Sequence, residues 1–394
     1  MVNNANSQST AATTTTEATP SSDITTTTAA PIAAPAPTPA LIPNPPTLSA
    51  KGYVLMDANS GNIIAQKNAN ERMAPASLTK LMTLYIIADE LQQGRIQLDD
   101  QVRISKKAWQ MGGSRMFVKV GTKVPVKLLI QGIIVASGND ATYAMAEYIG
   151  GTEQAFVDLM NQTAKALGMT NTHFSDCNGL PKPDHYSTPM DLAKLTRAII
   201  QNYPEYYHWF SQKWINYNNI KQPNRNRLLW RDPSVDGLKT GHTEEAGYCL
   251  ISSAMRNGMR LISVVMGTPT DSARANESEA LLTYGFRFFE THKLYDPNTA
   301  VMTPRVWFGQ HKKVGLGLIN GLYVTIPIGQ YKNINVNTTL DGKLTAPITK
   351  GQQYGTVTVT LNGKPINTQP LVALSDDQKG GIVSRLIDHI AKLF

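Results

Sequence analysis

Charge is scarce in this sequence, and at its start it is almost absent. Charged residues make up 17% of the 394, and before Lys51 the only ones are Glu17 and Asp23. Residues 1–48 are nearly all Thr, Ala, Pro, Ser and Asn. That composition offers a core little to grip and reads as a disordered segment, stiffened at its end by Pro43, Pro45 and Pro46. The segment lacks the basic start and apolar stretch of a secretory signal. Export is therefore not legible here, and a removed signal or a mis-set start accounts for the gap. No apolar run reaches the roughly 18 residues that a bilayer-spanning helix needs. Cysteine is limited to Cys177 and Cys249, which form neither a CxxC pair nor a metal-ligand spacing. The sequence leaves open whether they form one disulfide, which needs close Cα atoms, or stay free thiols. The seven histidines include no HExxH or comparable pair, so no metal site is expected. There is no Lys/Arg-rich run, zinc-finger or RNA-binding signature. The net charge of +8 therefore fits an anionic membrane surface, an acidic polymer or merely a solvated surface better than nucleic acid.

What is present is enough chain for two domains. From Lys51 the texture changes: Gly52 to Asp57, Ser60-Gly61 and Asn62 to Gln66 read as a hairpin. A long apolar stretch, Pro75 through Leu91, reads as a helix, as do Thr152 to Leu167 and Pro189 to Gln201. Two strands, Tyr248 to Met255 and Arg260 to Gly267, are joined by Asn257-Gly258, a tight-turn signal. Strands at both ends with helices between predict an α/β layered domain over 49–290, its sheet closed by the two ends. Beyond it, Leu322 to Pro327, Ile334 to Leu340, Gly355 to Leu361 and Gln369 to Leu374 predict a small all-β domain over 291–376. Residues 377–394 end in an amphipathic helix. Ile382, Val383, Leu386, Ile387, Ile390, Leu393 and Phe394 fall on one face, and Arg385, Asp388, His389 and Lys392 on the other. Such a helix can dock on the protein itself, but its terminal place after Gly380-Gly381 favours a membrane interface. The aromatic cluster Tyr203 to Trp214 reads as packing, and Met73, Met82 and Met116 as core filler or cleft lining.

Three short elements carry chemistry. In Ser77-Leu78-Thr79-Lys80, three residues apart on a helix, the hydroxyl and the amine share one face. Near a helix N-terminus, backbone N–H groups and the dipole favour an oxyanion. A serine hydroxyl needs a base to become a nucleophile, and Lys80 can be that base only if burial lowers its pKa. By itself SxxK is expected about once by chance in a chain of this length. The second element is Ser137-Gly138-Asn139, after the apolar run Leu128 to Ala136. A hydroxyl at Ser137 can relay a proton to a leaving amine, and the Asn139 amide can orient the lysine and the substrate backbone. Ser60-Gly61-Asn62 repeats the letters but reads as a hairpin turn. The third is Lys239-Thr240-Gly241, followed by His242, just before a strand. Gly241 lets a substrate lie along the backbone as an added strand. Lys239 and Thr240 offer a charge and a hydroxyl to a terminal carboxylate, and Lys239 would also depress the pKa of Lys80.

In this order the trio resembles that of the low-molecular-mass penicillin-binding proteins acting as serine D-alanyl-D-alanine carboxypeptidases, the peptidase S11-like family. The resemblance runs from about Lys51 to the C-terminus and includes PASLTKLMT, SGNDA, NTHF, NRLLW, VDGLKTGHT and ESEALLTYGFRFFE. It implies a serine β-lactamase/DD-peptidase-like domain, an antiparallel sheet flanked by helices, with the β domain and anchoring helix behind it. It implies Ser77 as acyl-ester nucleophile, Lys80 as proton acceptor and Ser137 as proton shuttle with Asn139 its partner. Lys239, Thr240, Gly241 and His242 would line the substrate strand, and Arg274 would help hold the terminal carboxylate. The implied substrate is a peptidoglycan stem peptide ending in D-Ala-D-Ala, with β-lactams as covalent inhibitors and no cofactor. The implied location is the periplasmic face of the inner membrane, through residues 382–394. One departure is Asn178, where members of the family often carry His; it bears on deacylation. A DD-endopeptidase would share the whole catalytic set. A class A β-lactamase would need a carboxylate base in an ExxLN-type pattern, which is missing, and a catalytically dead protein is disfavoured by three intact motifs.

Overall fold

Alternation along a few strands decides the architecture. The computed structural model describes residues 42–391. Its first strands are β1 (Gly52–Asp57) and β2 (Ile63–Lys67), followed by the helix α1 (Lys80–Gln92). Of the helices further along, three pack behind the site: α2 (Asn139–Gly150), α3 (Glu153–Ala166) and α4 (Pro189–Asn202). Three strands, β3 (Val235–Thr243), β4 (Gly247–Arg256) and β5 (Met259–Thr268), lead into the long helix α5 (Asp271–Phe288). The five strands form one antiparallel sheet in the order β2-β1-β5-β4-β3. Because successive side chains alternate, Val54 and Met56 of β1 enter one core while Tyr53 and Leu55 enter another. The first core is filled by α1 to α4, the second by α5 and the turn Leu228–Arg231. Burying each large aliphatic side chain contributes about 1.5–3 kcal/mol, so the sheet is held from both faces.

The turns obey local chemistry. Asn257 and Gly258 join β4 to β5 with φ of 50° and 80°, the left-handed pair that a two-residue hairpin needs. Ser60-Gly61-Asn62 is the turn between β1 and β2, as its letters suggest. Thr152 and Thr188 cap α3 and α4, each accepting a backbone N–H three residues on. Of the aromatic cluster, Tyr203, Tyr207 and Phe210 are core residues, whereas Trp214 is exposed. Cys177 and Cys249 are buried free thiols, so the open question of a disulfide resolves to none.

The segment expected to be disordered lies mostly outside the described residues, but its end departs from that expectation. Ile42 and Leu48 pack on the second core, the Tyr284 hydroxyl donates to the Pro43 carbonyl at 2.9 Å, and Glu277 accepts from the backbone of Ser49 and Ala50. The prolines already hold this stretch extended, so laying it on α5 costs little further entropy.

From α5 the chain passes directly into β6 (Phe289–Tyr295), two residues before the expected start of the β domain, which pairs with β7 (Leu322–Pro327). The strands β8 (Ile334–Leu340), β9 (Gln353–Leu361) and β10 (Lys364–Ala373) extend a second antiparallel sheet around a third core. The joint between the two halves is polar: buried Asp57 accepts from Ser60 and from the Thr291 hydroxyl at 2.7 Å, and Thr325 bonds to both hydroxyls.

The terminal helix, α6 (Ile382–Ala391), turns Asp388 of its polar side inward, whereas Arg385 and His389 stay exposed. Asp388 is fully buried and accepts from Arg305 (2.8 Å), Lys312 (3.2 Å) and the Phe308 amide (2.8 Å). Those donors hold its carboxyl low, at about 2, the Phe308 amide most of all. The apolar residues Ile382, Val383, Leu386, Ile387 and Ile390 all face outward. Leu393, Phe394 and Lys392, expected on the same helix, lie outside the described residues. If Asp388 is the latch, Asp388→Ala should speed amide exchange over 382–391 by about tenfold or more while exchange in β9 and β10 is unchanged, as hydrogen-exchange mass spectrometry would show.

Candidate active site

The sequence predicted one helix from Pro75, but the chain first makes a separate 3₁₀ turn, Ala76–Thr79, and α1 starts only at Lys80. Ala76 takes φ of 48°, left-handed backbone that keeps a helix from running on from Pro75. The carbonyl of Ala76 lies so close to Gly179 that a Cβ there would stand 1.8 Å from it, so Gly179 must be glycine. The tighter turn helps the chemistry. In a 3₁₀ turn residues i and i+3 eclipse, which aligns Ser77 with Lys80. Lys80 Nζ donates to Ser77 Oγ at 2.9 Å and to the Asn178 carbonyl at 2.7 Å.

Lys80 has no exposed surface. Burial lowers its pKa to about 7, with Arg225 adding to the effect and Asp176 and Asp140 opposing it. The depressing cation beside burial is thus Arg225, which the sequence reading did not single out. Lys239, which it did, is itself lowered well below the ordinary lysine value by burial, with the charges of Lys80, Arg225 and Arg274 adding to it.

Ser137 follows a wide helical turn, Gly132–Ala136, and leaves it in left-handed backbone at φ 55°. That exit turns its hydroxyl toward β3, where Ser137 Oγ accepts from Lys239 Nζ at 2.8 Å. Asn139 does something other than expected. Its amide nitrogen donates to the Gly112 carbonyl at 2.8 Å, and among the described residues it makes no hydrogen bond to either lysine. At the first position of α2 it fastens the loop 112–118, which Asp140 also grips by accepting from the Met116, Phe117 and Val118 amides. A Cβ on Gly138 would meet the Met116 nitrogen at 2.9 Å, so this close approach requires glycine too.

β3 is the free edge of the sheet and carries Lys239, Thr240, Gly241 and His242. A Cβ at Gly241 would stand 3.0 Å from the Pro75 carbonyl, so the missing side chain lets the edge pass close to the Ser77 turn. His242 is exposed and stacks on Tyr248 with centroids 3.9 Å apart. Arg274, buried at the start of α5, donates to the carbonyls of Gly241 (3.1 Å) and Cys249 (3.4 Å). Together Ser77, Ser137, Thr240, Gly241, His242 and Arg274 line a cleft of about 260 Å³. Ser114, Arg225 and Tyr248 line it as well and were missed. Arg225 Nη1 donates to Ser114 Oγ at 2.7 Å, bridging the loop 112–118 to the chain before Asn226. Among the described residues no group of three or more His, Cys, Asp or Glu side chains is placed to hold a metal.

Comparison with known proteins follows this geometry. Residues 40–270 match the family model described as D-alanyl-D-alanine carboxypeptidase, and residues 289–379 the one described as penicillin-binding protein 5, C-terminal domain. The chain is 46% identical over 357 residues to the D-alanyl-D-alanine carboxypeptidase DacC of Escherichia coli strain K12, covering 89% of each chain. It is 42% identical over 362 residues to DacA of the same strain, covering 90% of each. Its fold is similar to the solved structure of penicillin binding protein 5 from Haemophilus influenzae, with a TM-score of 0.80 and 43% identity over 85% of this chain and 99% of that one.

The position of the Lys80 pKa has a signed consequence. Below about 7 the amine is protonated and cannot take the Ser77 proton; above it the amine is free. The rate of covalent acylation by a penicillin, followed by stopped flow, should therefore climb about tenfold per pH unit below neutrality and level off above it.

Proposed function

Since the chain belongs to the D-alanyl-D-alanine carboxypeptidase family, we propose that its cleft removes the terminal D-Ala from peptidoglycan stem peptides through an acyl-ester on Ser77. The observation that carries this reading is the contact of a fully buried, low-pKa Lys80 with Ser77 Oγ at 2.9 Å. The stem peptide lies along the free edge of β3, its backbone beside Gly241 and its terminal carboxylate toward Thr240 and Arg274. Ser77 gives its proton to Lys80 Nζ and its oxygen attacks the penultimate carbonyl carbon. As the C–N bond breaks, Ser137 hands a proton to the departing amine and is refilled by Lys239 Nζ, 2.8 Å away. The proton held by Lys80 then passes to Lys239, which restores Lys239 and leaves Lys80 neutral. Water attacks the ester carbonyl, losing a proton to the neutral Lys80, and Lys80 returns that proton to Ser77 Oγ as the ester C–O bond breaks. β-Lactams imitate the dipeptide and acylate the same oxygen. The Asn139 amide serves as a fastener of the loop 112–118, which keeps Ser114 and Arg225 at the cleft.

The outward apolar face of α6 is read as a membrane contact. No helix among the described residues is long and apolar enough to cross a bilayer. A helix held by its polar side, with five large aliphatic residues presented outward, suits lying in the interface. With the +8 net charge, the surface it fits is the anionic periplasmic face of the inner membrane.

Two measurements bear on this. Ser77→Ala should lose all labelling by a fluorescent penicillin with its unfolding midpoint unchanged, and Lys80→Ala should slow acylation by about 10²–10⁴-fold; persistent labelling of the serine variant would remove Ser77 from its role. Deleting residues 382–394 should abolish sedimentation with anionic vesicles while kcat/KM on a soluble pentapeptide stays within twofold; undiminished sedimentation would refute the anchor.

A further inference from the structure

Arg227 lies outside the cleft, yet it reaches the cleft through a chain of charges. Thr270 caps α5 by accepting from the Ala273 amide, which fixes Asp271 in the first turn. One oxygen of Asp271 accepts from Arg274 Nη2. Its other oxygen is 2.6 Å from Arg227 Nη2. Arg274 is almost wholly buried and lines the cleft, whereas the Arg227 side chain is 52% exposed and is not among the residues lining it. A carboxylate bound this closely fixes the guanidinium in place, but it also cancels its charge. The Arg274–Asp271 pair alone is neutral, and a neutral pair is a poor receptor for another carboxylate. Arg227 adds a second cation on the far side, so the triad carries one net positive charge, with its cationic end in the cleft.

We propose that Asp271 and Arg227 are positioning residues that act through Arg274: Asp271 sets its orientation, and Arg227 neutralises Asp271 so that Arg274 keeps its charge for the substrate's terminal carboxylate. This rests on the reading that Arg274 meets that carboxylate. It assigns a role to the Asn226–Trp230 stretch, which belongs to no catalytic motif. The companion residue Asn226 is structural, donating to the Gly237 carbonyl at 2.9 Å at the start of β3.

The proposal predicts effects of opposite sign. In the full-length enzyme with a soluble D-Ala-D-Ala pentapeptide, Arg227→Gln should raise KM about five- to tenfold with kcat within twofold, because Asp271 then neutralises Arg274. Asp271→Asn keeps an acceptor for Arg274 and removes the negative charge, so KM should fall or hold. The double variant should return toward wild type. Acylation by benzylpenicillin should follow the same pattern, and acylation by its methyl ester, which lacks the carboxylate, should not respond to Arg227→Gln. If both single variants raise KM and the double variant is worse, the three residues only brace the fold and the proposal fails. If instead Arg274→Gln leaves KM and the preference for penicillin over its ester unchanged, the reading of Arg274 itself fails.

Discussion

The site depends on keeping one amine both buried and satisfied. Leaving an ammonium in a dry interior is costly, and the protein meets that cost by letting Lys80 lose its proton near neutrality. A neutral amine still needs partners, and Lys80 has two: the Ser77 hydroxyl and the carbonyl of Asn178. Much of the surrounding chain exists to present that carbonyl. Asp176 accepts from the amides of Asn178, Gly179 and Leu180 and so folds the segment into a tight loop. Thr83 holds the Cys177 carbonyl at 3.0 Å, and Thr79 bonds to buried His185 at 2.8 Å. The segment 176–185 is thus a cover over the lysine, and the side-chain identity at 178 matters less to Lys80 than the backbone that passes there.

The same constraint explains where the fold tolerates unusual backbone. Ala76 and Ser137, one on each side of the cleft, both adopt left-handed conformations that non-glycine residues avoid. Three glycines stand where another chain passes too near for a side chain: Gly179 against Ala76, Gly138 against Met116 and Gly241 against Pro75. These approaches bring the Ser77 turn, the Ser137 turn and the edge strand β3 together around one cleft. Strain and close contact are concentrated at the cleft, and the two-sided sheet behind it supplies the stability that maintains them.

Residue letters disclosed this arrangement unevenly. The strands and hairpins were legible because alternation and Asn-Gly turns are local signals, and Leu322–Pro327 and Ile334–Leu340 appear where they were expected. Ser77, Lys80, Ser137 and Lys239 were legible as neighbours at one site because each meets its partner through its side chain, which is what a letter states. The Asn178 carbonyl was not, since every residue has a carbonyl and the letter says nothing of where it points. The fastening role of Asn139 was hidden for the converse reason: its amide suggests a substrate contact, and no local pattern tells that its nitrogen, at the start of α2, also holds the Gly112 carbonyl. Arg225 and Ser114 reach the cleft through pairing between distant loops, a relation without a local pattern. Helical periodicity divided α6 into two faces but could not say that Asp388 alone of Arg385, Asp388 and His389 is turned inward.

The cations of the cleft divide into two chemical kinds, and their division follows from how each responds to burial. Lysine gives up its charge when desolvated, and Lys80 and Lys239 are both buried and both lowered, Lys80 to about 7. Arginine does not give up its charge in a protein, so Arg225 and Arg274 remain cationic beside them. An arginine in place of either lysine would bind an anion but move no proton. A lysine in place of Arg274 would lose its charge to the same burial that tunes Lys80. Basic residues of both types therefore meet at one cleft, lysines whose charge yields to burial and arginines whose charge does not, which is the division the proposed chemistry requires.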